Sequence, residues 1–385
     1  MKIVITGIGL RSALGNLTES WQALLQGKSG LSLHQPFSQF APIPLGLMAS
    51  LPSTLPPLVA AIAQDALQDA QLVAPLEDCG VVVGSSRGCQ GIWEQWASSK
   101  QPVIENWLET LPHQASLLTA DQIGRAELIL SPMAACATGI WAIAQGCQLI
   151  QQGRCQRVLA GAVEVPITPL TLAGFQQMGA LAETGCYPFS QEREGLVLGE
   201  GGAIFVLESS TLAQQRGAKI YGTIQGWGFS CDASHVSAPA IDNHSATLAV
   251  KQCLERSRLT PEEINLIHPH GTGTQLNDRR EADLIQSLFP ASVAVSSSKG
   301  ATGHTLGASG ALAVAFSVMA LQEQVLFPNV GLRTPAFDLN LVKKTYAANL
   351  RYALCFSFGF GGQNAAIALG GSDSIVVFSN SKFKQ

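Results

Sequence analysis

The stretch Ser131-Pro-Met-Ala-Ala-Cys-Ala-Thr-Gly139 leads into residues 137–149, which are apolar on nearly every side of a helix. A helix that is apolar all round is a buried helix, so this stretch predicts a core helix that starts beside Cys136. A second segment of the same kind, residues 305–321, follows His304. Both begin among Gly, Ala and Ser. If the chain is a duplication with a pseudo-twofold axis, the two helix starts face each other; a chance likeness is the alternative.

Other parts of the chain favour the duplication. Lys2-Ile-Val-Ile-Thr-Gly-Ile-Gly9 resembles Lys219-Ile-Tyr-Gly-Thr-Ile-Gln-Gly-Trp-Gly228. Apolar runs at 81–83 and 158–160, each bounded by Gly, predict strands buried on both faces. The polar stretch 209–217 is the predicted boundary between the halves.

Helix signals lie between these strands. A capping box at Asn16 and Glu19 predicts a helix as far as Gln26. Helical periodicity predicts another over residues 57–72, and Thr260-Pro-Glu-Glu263 is a further helix start. Strands that alternate with helices predict a layered α/β fold.

Composition narrows the class of protein. Of 385 residues, 13% are charged and 46% are hydrophobic, which excludes a disordered chain and suggests that a second copy covers part of the surface. A net charge of −4 gives no basic field for nucleic acid. No uninterrupted apolar run reaches the ~18 residues of a membrane span, and the N-terminus lacks a signal-peptide cleavage site. We expect a cytoplasmic protein.

The nine cysteines fit that compartment. Their number is odd and their spacing irregular, so we expect neither a disulfide framework nor a zinc site. Cys136 stands apart because small residues flank it and it precedes a buried helix. The positive end of the helix dipole favours a thiolate there, and thus a nucleophile. A buried, inert thiol is the alternative for each cysteine.

Two histidines follow predicted strands and precede glycine-containing loops, which places them where α/β sheets hold ligands. They are His270, in His268-Pro-His-Gly-Thr-Gly-Thr274, and His304, at the end of Ser296-Ser-Ser-Lys-Gly-Ala-Thr-Gly-His304. We interpret His268 as structural. A metal site of these three histidines lacks a further ligand with suitable spacing. Lys299 is either an exposed loop residue or a buried charge that acts on a nearby histidine.

Two glycine-rich turns complete the pattern. Gly359-Phe-Gly-Gly362 follows an apolar run and presents backbone N–H groups, as an oxyanion hole does. Gly7-Ile-Gly9 suggests a dinucleotide-binding turn, but the third glycine and the distant acidic residue of that fingerprint are absent. We therefore discount a dinucleotide.

Together these motifs resemble the β-ketoacyl-ACP synthases of the I/II type, the elongating condensing enzymes of the thiolase fold. Two histidines beside the cysteine distinguish this group from the type III synthases, with one His and an Asn, and from thiolases, with a second Cys. The resemblance covers nearly the whole chain. The matching segments, in family order, are residues 4–9, 135–139, 188–195, 198–201, 270–274 with Asp278 and Glu281, Lys299 with 302–304, and 357–364.

The resemblance implies a five-layer αβαβα fold from two similar halves, 1–210 with the cysteine and 211–385 with the histidines and the lysine. It also implies a homodimer that needs no cofactor or metal. Cys136 would take an acyl group from acyl carrier protein (ACP), and His270 and His304 would assist decarboxylation of malonyl-ACP. Lys299 would order the histidines, and the amides of Cys136 and Phe360 would form the oxyanion hole, with the Phe360 ring as a gate. The implied substrate contacts are Thr272, Thr274, Phe358 and Gly359.

The chain also departs from that family. Ser190 and Ala313 occupy positions where the family carries carboxylates, and the second of these would help to hold the lysine. Residues 51–57 replace a basic segment expected to meet an acidic carrier, residues 98–118 are atypical, and 372–385 extend beyond the usual last strand. Two other functions stay open: a non-catalytic subunit that shapes the tunnel of another synthase, and a cysteine-dependent hydrolase, which would leave the second histidine and Lys299 without a role.

Overall fold

The two repeated segments form neighbouring strands at the centre of the molecule. The computed structural model describes residues 1–100, 106–240 and 242–372. The first strand, Ile3–Ser12, pairs in the antiparallel sense with its counterpart, Gly222–Cys231. Ile3 lies opposite Ile224 in this pair. The seam between the two halves therefore runs along their first strands.

The strands and helices alternate along the chain as the sequence predicts. The strands are β1 (Ile3–Ser12), β2 (Gly15–Asn16), β3 (Ser32–His34), β4 (Ile43–Leu45), β5 (Cys79–Gly84), β6 (Leu128–Leu130), β7 (Arg157–Glu164), β8 (Gly201–Ser209), β9 (Gly222–Cys231), β10 (Leu266–His268), β11 (Ala294–Val295), β12 (Val325–Leu326), β13 (Asn340–Leu341), β14 (Tyr346–Ala347), β15 (Tyr352–Gly359) and β16 (Gln363–Gly370). The α-helices are α1 (Leu17–Leu25), α2 (Leu55–Asp69), α3 (Gln90–Ser98), α4 (Gln114–Ile123), α5 (Thr138–Gln151), α6 (Pro169–Gln177), α7 (Ser210–Gln215), α8 (His244–Ser257), α9 (Gln275–Leu288), α10 (Lys299–Thr302) and α11 (Ser309–Glu323).

Each half repeats the same sheet. The strand order is β1-β8-β7-β5-β6 in the first half and β9-β16-β15-β10-β11 in the second. When only these five strands of each half are numbered in chain order, both sheets have the strand order 1-5-4-2-3. Strand directions repeat too, because the pairs 1–5 and 5–4 are antiparallel and the pairs 4–2 and 2–3 are parallel in both halves. The predicted fold of two pseudo-repeated halves is confirmed. The division at residue 210, the first of α7, remains our proposal.

Five layers result from this repeat. Helices α2 and α4 cover the outer face of the first half-sheet, and α8 and α9 cover that of the second. Helices α5 and α11 form the central layer, and the largest apolar cluster joins them to the inner faces of both half-sheets. Strand β8 shows the alternation, because Phe205 and Leu207 point into this cluster while Ile204 and Val206 point into the outer one.

The two core helices meet where the sequence is smallest. A Cβ atom added to Gly139 would lie 2.6 Å from the backbone nitrogen of Ala311, and one added to Gly310 would lie 2.9 Å from the Ile140 side chain. The first turns of α5 and α11 therefore touch, as the duplication predicted. This close crossing brings the residues before each helix, Cys136 and His304, to one place.

Several predicted boundaries shift. The helix predicted over 57–72 is α2, which starts at Leu55 and ends at Asp69. The capping box at Thr260 exists, but it caps only the 3-10 turn Pro261–Glu263. The predicted helix over 305–321 begins with a 3-10 turn, Leu306–Ala308, before α11. Of the two atypical segments, residues 101–105 and 373–385 lie outside the described residues.

Two further expectations concern single segments. Gly7 and Gly9 lie inside strand β1, against α2, rather than in a turn. Residues Leu306–Glu323 are long and apolar enough to span a bilayer by composition, yet 83% of this segment is buried within the protein. It is the core helix of the central layer, which explains its composition.

Candidate active site

Cys136 lies at the start of α5 in a tightly bonded turn. The Thr138 hydroxyl donates to the Ala135 carbonyl (2.7 Å) and accepts from the Ala134 N–H (2.9 Å). Ala135 has φ +47°, a left-handed conformation that costs about 1–3 kcal/mol for a residue with a Cβ. The Ser357 hydroxyl donates to the Cys136 carbonyl at 2.7 Å. The thiol is thus fixed at the helix start.

The loop after β15 lies directly against this turn. A Cβ at Gly359 would lie 2.9 Å from the Cys136 nitrogen, so only glycine allows this approach. The Phe360 N–H is directed at the Cys136 thiol. The Phe360 ring lies 5.8 Å from that of Phe175. The Phe360 N–H therefore lies beside the thiol, and an oxyanion hole formed by this group and the Cys136 N–H stays a prediction.

The two predicted histidines face the thiol. One ring nitrogen each from His270 and His304 and the sulfur of Cys136 lie within 4.8 Å of one another. The imidazole rings are 5.1 Å apart and nearly perpendicular. All three side chains are at least nine-tenths buried. The structure therefore brings together three residues that are 34 to 168 positions apart in the chain.

Burial sets the protonation of this group. Desolvation and the Lys299 charge hold the pKa values of His270 and His304 well below the usual value for histidine, so both rings are neutral at pH 7. Desolvation raises the pKa of Cys136 to about 11, against the opposing effects of Lys299 and the Phe360 amide. Burial therefore opposes the thiolate that the position at a helix start would favour.

Lys299 is a buried residue, not an exposed one. It is 3% exposed, and its ammonium donates to the His270 carbonyl. Burial lowers the pKa of Lys299, and the nearby carboxylate of Glu281 opposes this change. Burial raises the pKa of Glu281 to about 7, although its oxygens accept from the N–H groups of His270 (2.5 Å) and Gly271 (2.7 Å). Glu281 thus positions the His270 backbone that Lys299 also contacts.

The departures from the family have local explanations. The Ser190 hydroxyl accepts from the N–H groups of Arg333 and Thr334 and donates to Glu192 at 2.5 Å. Hydrogen bonds from Ser190 and Thr334 lower the pKa of Glu192 to about 2, so a carboxylate lies beside Ser190. Ala313 is 1% exposed in the central core and offers Lys299 no charge. Glu281 is the carboxylate that acts on the lysine instead.

His268 does not join the site. Its two ring nitrogens bond to the Pro269 carbonyl (3.1 Å) and the Ser298 hydroxyl (3.0 Å), which supports a structural role. The metal set His268, His270 and His304 is therefore not assembled. The ligand atoms of Cys136, His270 and His304 lie close enough together to hold a metal ion. The buried ammonium of Lys299 beside them disfavours a bound cation.

A pocket of about 360 Å³ connects these groups to solvent. The predicted substrate contacts Thr272, Thr274, Phe358 and Gly359 all line it, beside Cys136 and both histidines. Its wall is mostly apolar, and Phe175, Leu196 and Phe360 belong to the same apolar cluster as Cys136. Such a wall suits an acyl chain.

The sequence analysis missed one neighbour of the histidines. The Ser309 hydroxyl lies 2.8 Å from Nδ1 of His304 and 3.2 Å from the Thr305 hydroxyl. Ser309 follows His304 by five residues on the first turn of α11, a spacing that could have indicated this contact. A cysteine and a histidine at two touching helix starts, with a second neutral histidine after a strand, all below an apolar pocket, define the thiolase-fold condensing enzymes, a class of acyltransferase.

Comparisons with known proteins agree with that class. Residues 57–213 match the family described as "Beta-ketoacyl synthase, N-terminal domain", and residues 221–333 match "Beta-ketoacyl synthase, C-terminal domain". The chain belongs to the β-ketoacyl synthase family. A 3-oxoacyl-[acyl-carrier-protein] synthase 2 of Synechocystis sp. is 32% identical, over 95% of this chain and 97% of the relative. The enzyme of the same name from Staphylococcus aureus is 30% identical, with the same shares covered.

Solved structures show the same fold. A type II polyketide synthase acyl carrier protein in complex with its ketosynthase bound to the hexaketide superimposes with a TM-score of 0.89 at 26% identity. It covers 96% of this chain and 99% of its own. The ishigamide ketosynthase/chain length factor gives the same values. A β-ketoacyl synthase from Burkholderia phymatum gives a TM-score of 0.87 at 25% identity, over 96% and 99% of the two chains.

Proposed function

We propose that this protein is a 3-oxoacyl-[acyl-carrier-protein] synthase, which joins an acyl group to malonyl-ACP with loss of CO₂. The observation that carries the proposal is the grouping of Cys136, His270 and His304 within 4.8 Å at the base of an apolar pocket. The homologous synthases support the reaction type. The product serves fatty acid, polyketide or related lipid synthesis.

The first half-reaction is acyl transfer to the thiol. Cys136 attacks the thioester carbonyl of acyl-ACP while its proton passes to a neutral histidine. The carbon–sulfur bond to the carrier then breaks, and the histidine gives the proton to the carrier thiolate, which leaves the ring neutral again. Because the pKa of Cys136 is about 11, the proton must move during the attack rather than before it. The N–H groups of Cys136 and Phe360 would stabilise the oxyanion that forms at the carbonyl.

The second half-reaction uses both imidazoles as donors. Malonyl-ACP loses CO₂, and the electron pair of the broken bond delocalises onto the thioester oxygen. Neutral His270 and His304 each offer one N–H, and such donors are strongest in a dry pocket. The carbanion then attacks the acyl carbon on Cys136, the carbon–sulfur bond breaks, and 3-oxoacyl-ACP forms. Lys299 keeps the rings neutral through its charge and holds the His270 backbone.

Mass spectrometry tests the two half-reactions. After incubation with acyl-ACP alone, the parent protein should carry one acyl group on Cys136, and malonyl-ACP should discharge it. Cys136→Ala should show neither acylation nor condensation. His270→Ala and His304→Ala should still acylate, but each should decarboxylate malonyl-ACP about 10²–10³-fold more slowly. Decarboxylation by both variants at the parent rate would contradict the assignment of the imidazoles.

A non-catalytic, tunnel-shaping subunit is the alternative function, since one similar structure contains a chain length factor. The complete cysteine and histidine set favours catalysis. Acylation of Cys136 without condensation, even with a second synthase present, would favour the alternative.

A homodimer and a cytoplasmic location complete the proposal. Strand β6 pairs with β5 on one side, and its other edge has no partner strand within the described residues. Exposed apolar residues mark this edge, with Ile129 38% and Met133 68% exposed. We propose that a second copy covers it, because open edges of this kind invite pairing. All nine cysteines are free, which fits a reducing compartment.

A further inference from the structure

Two exposed apolar side chains line the opening of the Cys136 pocket, and a third lies in the loop beside it. Met178 follows α6 and is 47% exposed, Leu276 lies at the start of α9 and is 48% exposed, and both line the opening. Val236 is 78% exposed and precedes Ser237, which lines the opening too. Single exposed apolar residues are ordinary, but three from separate elements around one opening indicate a contact surface.

The loop that carries Val236 is held in place. The Asp232 carboxylate accepts from the Ala240 N–H (2.8 Å) and the Asn364 amide (2.7 Å). The Val236 carbonyl accepts from the Gly361 N–H at 2.8 Å. This surface is therefore continuous with the loop that contains Phe360, and it is formed before any partner binds.

The charges at this opening are negative. Glu194 and Asp232 line it, and no Lys or Arg does so within the described residues. Two arginines are unable to supply a positive charge at this opening. Arg193 is 8% exposed with its guanidinium over the Phe337 ring, and Arg157 pairs with Glu208. Arg279, one turn beyond Leu276, lies 5.3 Å from the Phe337 ring. An acidic partner finds no complementary charge here.

We propose that this rim, Met178, Val236 and Leu276, is the docking surface for a carrier protein whose contacting face is apolar and weakly charged. The inference rests on the proposed function, because a carrier-borne thioester has to enter through this opening. Apolar contact supplies affinity that salt does not screen, whereas an acidic carrier face would meet Glu194 and Asp232. Carrier selection at this site therefore follows hydrophobic rather than electrostatic complementarity.

The test compares two forms of one carrier. An acidic fatty-acid ACP and a variant with the Asp and Glu of its contacting helix changed to Asn and Gln are each loaded with the same acyl and malonyl groups. We expect a kcat/KM about tenfold higher for the neutralised carrier, and little change for it between 50 and 300 mM salt. A higher kcat/KM for the acidic carrier that collapses as salt rises would overturn the proposal, whichever positive residues are responsible.

A charge placed on the rim sharpens the test. Val236→Lys should raise kcat/KM for the acidic carrier several-fold and introduce a salt dependence. Leu248→Lys is the matched control, because Leu248 is 44% exposed on α8 and does not line the opening; it should change nothing. Arg279→Ala should also have no effect. An equal gain from Leu248→Lys, or a loss from Arg279→Ala with the acidic carrier, would contradict the assigned surface.

Carrier-free substrates separate this inference from the proposed function. Acyl- and malonyl-pantetheine thioesters should condense at the same rate in the parent and in Val236→Lys. Condensation of these thioesters together with preference for the acidic carrier would refute only the docking surface. Absence of condensation from every substrate would refute the proposed function itself. If Val236→Lys instead changes the oligomeric state in sedimentation, a second copy covers the rim and the carrier assignment is wrong.

Discussion

At the scale of single residues, the site depends on groups that burial keeps uncharged. The thiol of Cys136 and the rings of His270 and His304 all lie where water cannot solvate a charge, so each rests in its neutral form. Lys299 lies beside them, and its positive charge disfavours imidazolium and favours thiolate. We therefore expect both half-reactions to start from the neutral thiol and the neutral imidazoles.

The first prediction concerns the resting thiol. Because the pKa of Cys136 is about 11, its labelling by iodoacetamide should rise about tenfold per pH unit from pH 7 to 10 without reaching a plateau. Labelling is best followed by peptide mass spectrometry in a Cys231→Ser background, since Cys231 is the exposed cysteine. A plateau below pH 9 would show that the helix start stabilises the thiolate after all.

The second prediction concerns Ser309, a positioning residue. A neutral His304 has one ring proton, and a hydroxyl that donates to Nδ1 leaves that proton on Nε2, which then faces the substrate. Ser309→Ala should slow malonyl decarboxylation about tenfold with KM unchanged, as loss of a ring-orienting partner does. The acid limb of its pH–rate profile should also shift. Ser309→Thr should restore both the decarboxylation rate and the pH–rate profile.

A role of Ser309 in packing alone would give a different pattern. Ser309→Ala would then lower the melting temperature and leave the pH profile unchanged.

At the scale of secondary-structure elements, the crossing of α5 and α11 places the thiol opposite the imidazoles. Gly139→Ala should force the helices apart, because its Cβ would lie 2.6 Å from the Ala311 nitrogen. Overpacking of this kind costs about 1–3 kcal/mol, and we expect both a lower melting temperature and slower acylation. Gly174→Ala is the control, because Gly174 lies in α6 and a Cβ added to it would have no neighbouring atom within 4 Å.

The melting temperature of the control, Gly174→Ala, should rise instead of falling. Replacing a helical glycine by alanine gains about 0.8–1.0 kcal/mol where space allows. Equal melting temperatures for the two variants would show that the helix crossing does not constrain the site.

The elements that sequence predicted best are those with local signals. The capping box at Asn16 fixes the start of α1, and the Gly-bounded runs at 81–83 and 158–160 lie within β5 and β7. The contacts of Glu281 with the His270 backbone and of Ser190 with the Arg333 and Thr334 backbone join segments that meet only in the folded protein. Burial of Lys299 and the raised pKa of Cys136 likewise need the full packing around them.

At the scale of the whole molecule, the proposed dimer depends on the outer edge of β6. Ile129→Lys should disrupt pairing with a second copy, because a lysine on an edge strand opposes strand addition. Analytical ultracentrifugation should show a monomer in place of a dimer at micromolar concentration. Leu248→Lys, on the outer helix α8, should stay dimeric. A dimeric Ile129→Lys protein would mean that another surface holds the copies together.

The seam between the halves also has a consequence for chain connectivity. Gly370 pairs with Thr223, and Thr223 pairs with Val4, so the end of β16 lies two strands from the start of β1. Two strand spacings amount to about 10 Å, a distance that a few residues can bridge. A circularly permuted gene that begins at Ala218 and joins the old C-terminus to Met1 would therefore encode the same fold. For this enzyme, we therefore expect the fold not to depend on which half is translated first.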